Sequence, residues 1–119
     1  MTTLRVRVHS YEDLIAEVER KAAAVAAGKT VDSDSTYTFP TYDAMHRTLA
    51  PTRIAIIRVM TGQGAMSIRE VARRVGRDIK NVHADVDMLV KNGVIDRADE
   101  GVVFPYDRIL VEFEIDAAA

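Results

Sequence analysis

SIREVARRVGRDIKNVHADVDMLVKNG, residues 67–93, decides the fold. Ser67 can accept from the free N–H groups of a helix start, and Glu70, three residues on, can reach back to the Ser67 amide, which is a capping box. Ile68, Val71, Ala72 and Val75 then recur at helical spacing on one apolar face. Gly76 suits the left-handed position that ends a helix. Asp78 is the N-cap expected for a second helix. Ile79, Val82, Val86, Leu89 and Val90 form its apolar stripe, and Gly93 closes it. A turn this short makes the two helices cross steeply and bury their apolar faces together, the pattern of a helix-turn-helix.

The outward side of the second helix is the part with a message. At about 100° per residue, the period turns Lys80, Asn81, Ala84, Met88 and Lys91 away from the buried stripe. Arg77 stands just before that helix, and Arg73 and Arg74 end the preceding one. In a helix-turn-helix the N-terminal residues of the second helix meet base edges in the major groove of DNA. Asn81 has the two-point geometry for adenine, and Arg77 or Lys80 that for guanine or phosphate. The alternative is an ordinary helical hairpin with solvated charges.

Charge is distributed to match. The chain of 119 residues carries a formal net charge of −2. Residues 51–93 hold eight Lys/Arg against four Asp/Glu, a local +4, while residues 94–119 hold two against seven, a local −5. The basic excess is confined to the reading head, as an electrostatic footprint on nucleic acid requires. It is small enough that two copies are expected to act together on DNA. There is no cysteine, so neither a disulfide framework nor a thiolate metal site is available. No apolar run reaches membrane-spanning length and no signal-peptide pattern opens the chain, so a cytoplasmic location is expected.

Outward from the centre, TLRVRV at 3–8 alternates as a half-buried strand. Ser10 caps a helix from about Tyr11 to Ala27, with Leu14, Ile15, Val18, Ala22 and Val25 on its apolar side and Gly28 at its end. Its tract KAAAVAA reads equally well as a core helix or as a dimer helix. KTVDSDS at 29–35 reads as a loop, TYTF at 36–39 as a short strand, and Thr41 or Asp43 as the start of a short helix. Pro51 opens the next helix, with Ile54, Ile57 and Met60 at core spacing. After Gly93, VIDRADEGVVF reads as a hairpin, which directly after a recognition helix is a wing. Its acidic tip makes it structural, with Arg97 as the one residue able to reach the DNA backbone. DRILVEFEI alternates again. Paired antiparallel with the first strand, within one subunit or between two, it would set Arg5 and Arg7 against Glu114 and Glu112.

With these residues in place, the chain resembles a family of small archaeal and bacterial DNA-binding proteins with a winged helix-turn-helix related to the MarR and ArsR regulators. The resemblance is carried by TYTFPTYDAMHRTLAPTRIAIIRVM, by SIREVARRVGRDIKNVHADVDMLVKNGVI and by VVFPYDRILVEFEI, about residues 36–115. It implies a transcriptional regulator, and some such proteins look like antitoxins encoded beside a small toxin. By position, Arg77, Lys80 and Asn81 match the start of the family's recognition helix, and His83 and Asp85 match residues within it. Ala84 departs, because a basic residue is common there. The metal-sensing cysteines of the ArsR type are absent.

Other groups point away from catalysis. His9, His46 and His83 are scattered, whereas zinc needs three or four converging ligands, so no metal or cofactor is expected. Asp85 and Asp87 point in different directions on one helix and lack a nucleophile or phosphate loop, so no enzyme is expected. Asp85 reads instead as a partner that orients a nearby arginine, or as an acceptor from a cytosine amino group. The expected fold is mainly α with small β elements (α+β): a strand–helix extension at 1–35, a candidate dimer element, and a winged helix-turn-helix with a C-terminal strand at 36–119. The expected function is sequence-specific binding of double-stranded DNA by a homodimer, with a recognition helix at about 78–92 and two such helices about 34 Å apart. The expected contact set is Ser67, Arg73, Arg74, Arg77, Lys80, Asn81, Ala84, Lys91 and Arg97. The competing expectation is a protein-binding module, its acidic C-terminal third suiting a basic, toxin-like partner.

Overall fold

Thr3–Val8 (β1), Tyr11–Ala26 (α1) and Ser35–Phe39 (β2) form a strand–helix–strand crossover. The structure is a computed structural model, and it describes residues 2–28 and 35–117. β1 and β2 pair in parallel, from Leu4 opposite Ser35 to Val8 opposite Phe39. Parallel strands cannot be joined by a tight turn, and α1 supplies the crossover they need. Of the expected loop, residues 29–34 lie outside the described residues, and Ser35 already belongs to β2.

The chain divides into two units, one holding Thr2 and His46–Arg108, the other Thr3–Met45 and the segment from Ile109 onward. In the second of these, Arg108–Glu112 (β5) completes a sheet of order β2-β1-β5. The Asp107 and Arg108 N–H groups both donate to the Thr2 carbonyl, at 2.9 and 3.2 Å. The start of β1 therefore lies beside the start of β5, and the two strands run the same way. This corrects the antiparallel pairing read from the charges. Arg5 meets Glu112 at 2.8 Å, but Arg7 turns to Glu17 of α1, and Glu114 lies beyond the strand.

α1 is capped as expected. Ser10 accepts from the Asp13 N–H, and the Asp13 carboxylate accepts from the Ser10 N–H, both at 3.2 Å. Its orientation is not the expected one. The buried residue of α1 is Glu17, 7% exposed, held by Arg7 and by Lys21 at 3.0 Å. Two cationic hydrogen bonds lower the Glu17 carboxyl to about 2, Arg7 contributing most. Tyr11, Ile15, Val18 and Val25 face outward instead. The core reading of this stripe does not hold.

In the other unit, Pro51–Met60 (α3), Ile68–Val75 (α4) and Ile79–Lys91 (α5) pack against one another. Tyr42–Thr48 (α2) precedes them, with Thr41 Oγ1 accepting from the Ala44 N–H at 3.1 Å. Pro51 occupies the first turn of α3, where its missing N–H leaves no hydrogen bond unmade. Ile56, Ile57, Met60, Val71, Val82, Val86 and Leu89 build the core at helical spacing. Ile54 is only half-buried, and Ile56 takes the deeper position.

The hairpin is shorter than the sequence suggested. Asp96–Ala98 (β3) pairs antiparallel with Gly101–Val103 (β4) around Asp99 and Glu100. Val94 and Ile95 are each 1% exposed and serve as core residues ahead of the strands. Met66 and Val102 exchange two backbone hydrogen bonds of 2.9 Å, so the segment before α4 is bridged at one residue to the free edge of β4. Gly101 makes this approach feasible. It has φ +136°, and a Cβ there would fall 2.3 Å from the Met66 carbonyl oxygen. The architecture is thus α+β, five helices and five strands among the described residues.

Candidate nucleic-acid interface

α4 begins where Ser67 Oγ accepts from the Glu70 N–H at 3.1 Å. It ends at Gly76, with φ 70° and ψ 33°, and the Arg77 N–H returns to the Ala72 carbonyl at 3.1 Å. Gly76, Arg77 and Asp78 are the whole connection to α5. The capping box is only half formed, because the Glu70 carboxylate has other partners. Arg73 Nε donates to it at 2.9 Å, the Arg73 terminal nitrogen donates as well, and Arg74 Nε donates at 2.8 Å. Those bonds hold the Glu70 carboxyl down to about 2, with Arg73 the larger cause, and raise the Arg73 guanidinium above its ordinary value. Asp78 stands at the N-cap position of α5, but its side chain accepts no cap hydrogen bond.

α5 presents a mixed outer face. Lys80, Asn81, Ala84, Met88 and Lys91 are exposed, as the helical period requires. Ile79, placed in the buried stripe by sequence, is 41% exposed and lies at the outer start of the helix. Among the described residues Lys80 and Lys91 make no ion pair, and their charge stands open to solvent.

The arginines stand differently. Arg77 approaches Asp85 at 2.8 Å, and Arg53 of α3 approaches the other carboxylate oxygen at 3.2 Å. The facing atoms of all three residues are shielded from water and lack hydrogen-bond alignment, so the attraction is that of charge rather than of a directed bond. Arg53 also donates to the Arg47 carbonyl of α2. Asp85 thereby ties the α4–α5 turn and α3 to the middle of α5. On the hairpin, Arg97 donates to Asp87 of α5 at 3.2 Å, and the same carboxylate faces His83 Nδ1 at 3.2 Å.

Of the expected contact set, Lys80, Asn81, Ala84 and Lys91 therefore share one open helix face. Ser67 is spent as a cap. Arg73, Arg74, Arg77 and Arg97 each sit against a carboxylate of their own unit. Sequence spacing gave notice of the Glu70 pairs, at i+3 and i+4. The Arg53–Asp85 pair spans 32 positions and had no local signal. Among the described residues no cluster of three His, Cys, Asp or Glu side chains is arranged to hold a metal ion, and no helix is long and apolar enough to cross a membrane.

No curated protein and no solved structure matches the chain. A family model does match, over residues 48–111, which takes in α3, α4, α5 and the hairpin. That span is more than half of the sequence, and the chain belongs to the HVO_A0114 family.

Proposed function

We propose that this chain is a winged helix-turn-helix regulator of transcription that binds double-stranded DNA as a homodimer, with α5 entering the major groove. The observation that carries the reading is the outer face of α5 at its first turns. Lys80, Asn81 and Ala84 are exposed on a helix that follows α4 after a three-residue turn, and a hairpin follows directly. A helix so presented can lay its N-terminal residues against base edges while the hairpin lies beside the backbone. The resemblance to MarR- and ArsR-like regulators agrees with this order of elements.

Asn81 reads a base and Lys80 neutralises a phosphate in this account. Because Arg73, Arg74, Arg77 and Arg97 already have carboxylate partners, DNA phosphates must displace those partners to recruit them. Binding is therefore modest in each copy and depends on two. The test is fluorescence anisotropy with the DNA upstream of the chain's own coding region, at about 150 mM salt, where weak non-specific contacts fade. Saturable binding there, competed poorly by unrelated DNA, is the expected result. Equal affinity for both DNAs overturns it.

A second reading draws on the same paired arginines. Self-neutralised basic residues suit a protein-binding module, such as an antitoxin that takes a basic toxin-like partner against the acidic segment 94–119. Failure of the DNA assay, together with a stoichiometric complex with the product of the adjacent coding region, would favour it.

A further inference from the structure

The outward stripe of α1 is spaced for another helix. Tyr11, Ile15, Val18, Ala22 and Val25 follow one another at intervals of four, three, four and three residues. That is the a/d seam of paired helices. Tyr11 is 74% exposed, Val18 65%, Val25 61% and Ile15 42%. A shallow apolar groove runs between Tyr11, Leu14, Ile15, Val18 and Glu19. The sheet-facing side of α1 is anchored by Glu17 with Arg7 and Lys21, so its own unit does not use the stripe.

We propose that this stripe docks on the same stripe of a second copy, the two α1 helices antiparallel about a two-fold axis at Val18. That arrangement sets Tyr11 against the partner's Val25, Ile15 against the partner's Ala22, and Val18 against the partner's Val18. The larger side chain of each outer pair meets a smaller one, and two valines of equal size meet at the axis. A parallel pair would crowd tyrosine on tyrosine and leave a gap between two alanines. A two-fold interface presents the same patch on both copies, and with this stripe the antiparallel pairing is the one that matches side-chain sizes. The four large side chains offer roughly 500 Å² per copy, and with the stems of Leu14, Glu19 and Lys21 two copies reach the roughly 1,200 Å² at which stable interfaces begin. Glu19 lies at the rim, where it meets the partner's Glu19, one exposed like-charge contact of small cost.

The interface gives the proposed DNA reading its second copy, and its use rests on that reading, but its existence is tested without DNA. Sedimentation of the full chain at about 50 μM should give about 26 kDa, twice the 13.2 kDa of one chain. Val18→Glu should sediment as a single chain with unchanged far-UV circular dichroism, because Val18 is exposed within one copy. The sequence contains no cysteine, so introduced thiols report cleanly. Ile15→Cys mixed with Ala22→Cys should oxidise to the mixed disulfide, while Ile15→Cys alone should not cross-link. Glu19→Gln should tighten the dimer about twofold. A monomeric wild type overturns the proposal, including one whose stripe takes a basic amphipathic helix instead. A dimeric Val18→Glu, or a self-linked Ile15→Cys, also overturns it. A dimer that ignores operator DNA leaves the interface standing and removes only the DNA reading.

Discussion

Arg77 stands in the turn between α4 and α5, and Asp85, eight residues on, lies 2.8 Å from it on the second turn of α5. The turn is thus fastened to the helix it launches. Arg53 shares the carboxylate at 3.2 Å, and the Asp85 side chain is 13% exposed. Removing the carboxylate would strand two guanidinium groups in a poorly hydrated place. Asp85→Ala should cost about 2–3 kcal/mol in urea unfolding. The double variant with Arg77→Ala should cost less than the sum of the two singles. Strict additivity would mean that the pair is not coupled.

The same ion pair ranks the contacts proposed for DNA. Asn81→Ala should lose about 1–3 kcal/mol of operator binding, concentrated at one base pair. Lys80→Ala should weaken all sequences alike and reduce the salt slope by about one. Arg77→Ala should do less than Asn81→Ala, because Asp85 already holds its guanidinium. Anisotropy titrations against an operator and its single-base variants measure all three. An Arg77→Ala loss larger than that of Asn81→Ala would show that the ion pair opens on DNA.

Acid should reach α1 through Glu17. Its carboxyl lies at about 2 in the folded chain against an ordinary 4.5. A lowered folded value gives stability that is present in full above pH 4.5 and is lost as pH falls from there toward 2. Glu17→Gln should flatten that part of the profile, by on the order of 2 kcal/mol between the two ends. Glu70 shifts in the same direction over the same window, but it is only half-buried and its arginine partners face solvent, so salt should screen much of its share. Urea midpoints between pH 7 and 3, at low and high salt, separate the two. Parallel profiles for the wild type and Glu17→Gln would remove Glu17 from the account.

Gly101→Ala should lower the melting temperature of the whole chain. The new Cβ would strike the Met66 carbonyl oxygen at 2.3 Å from a backbone with φ +136°, and neither can yield without breaking the Met66–Val102 rungs. A loss of about 2 kcal/mol or more follows. A change under about 0.5 kcal/mol, the usual range for a surface substitution, would show that the hairpin is not held to Met66.

What was legible follows the range of each interaction. Caps, the left-handed Gly76 and the Val82–Val86–Leu89 stripe are local, and the α4–α5 pair emerged from them nearly to the residue. Half of the Ser67–Glu70 capping box failed because Arg73 and Arg74, one turn on, outcompete a backbone N–H for the same carboxylate. Strand alternation marks faces but not direction, so the parallel run of β1 with β2 and β5 was not readable from TLRVRV and DRILVEFEI. Direction is fixed by the α1 crossover and by the anchoring of Thr2 to Asp107. The outward turn of α1 had a trace in its four-three spacing. Its cause, Glu17 drawn to Arg7, joins two elements whose geometry the sequence does not state.

The sheet order β2-β1-β5 sets a schedule for the chain. β1 and β2 come together across about 30 residues, a short closure. β1 and β5 must close about 100 residues, and the intervening loop contains a unit with its own core. Closing so long a loop costs entropy that is recovered only when the last strand adds on. Contacts this distant in sequence slow folding. On a ribosome, α3, α4, α5 and the hairpin can settle while β1 waits with one edge uncovered. The β5 edge of β1 is then the surface most open to wrong pairing with a neighbouring chain.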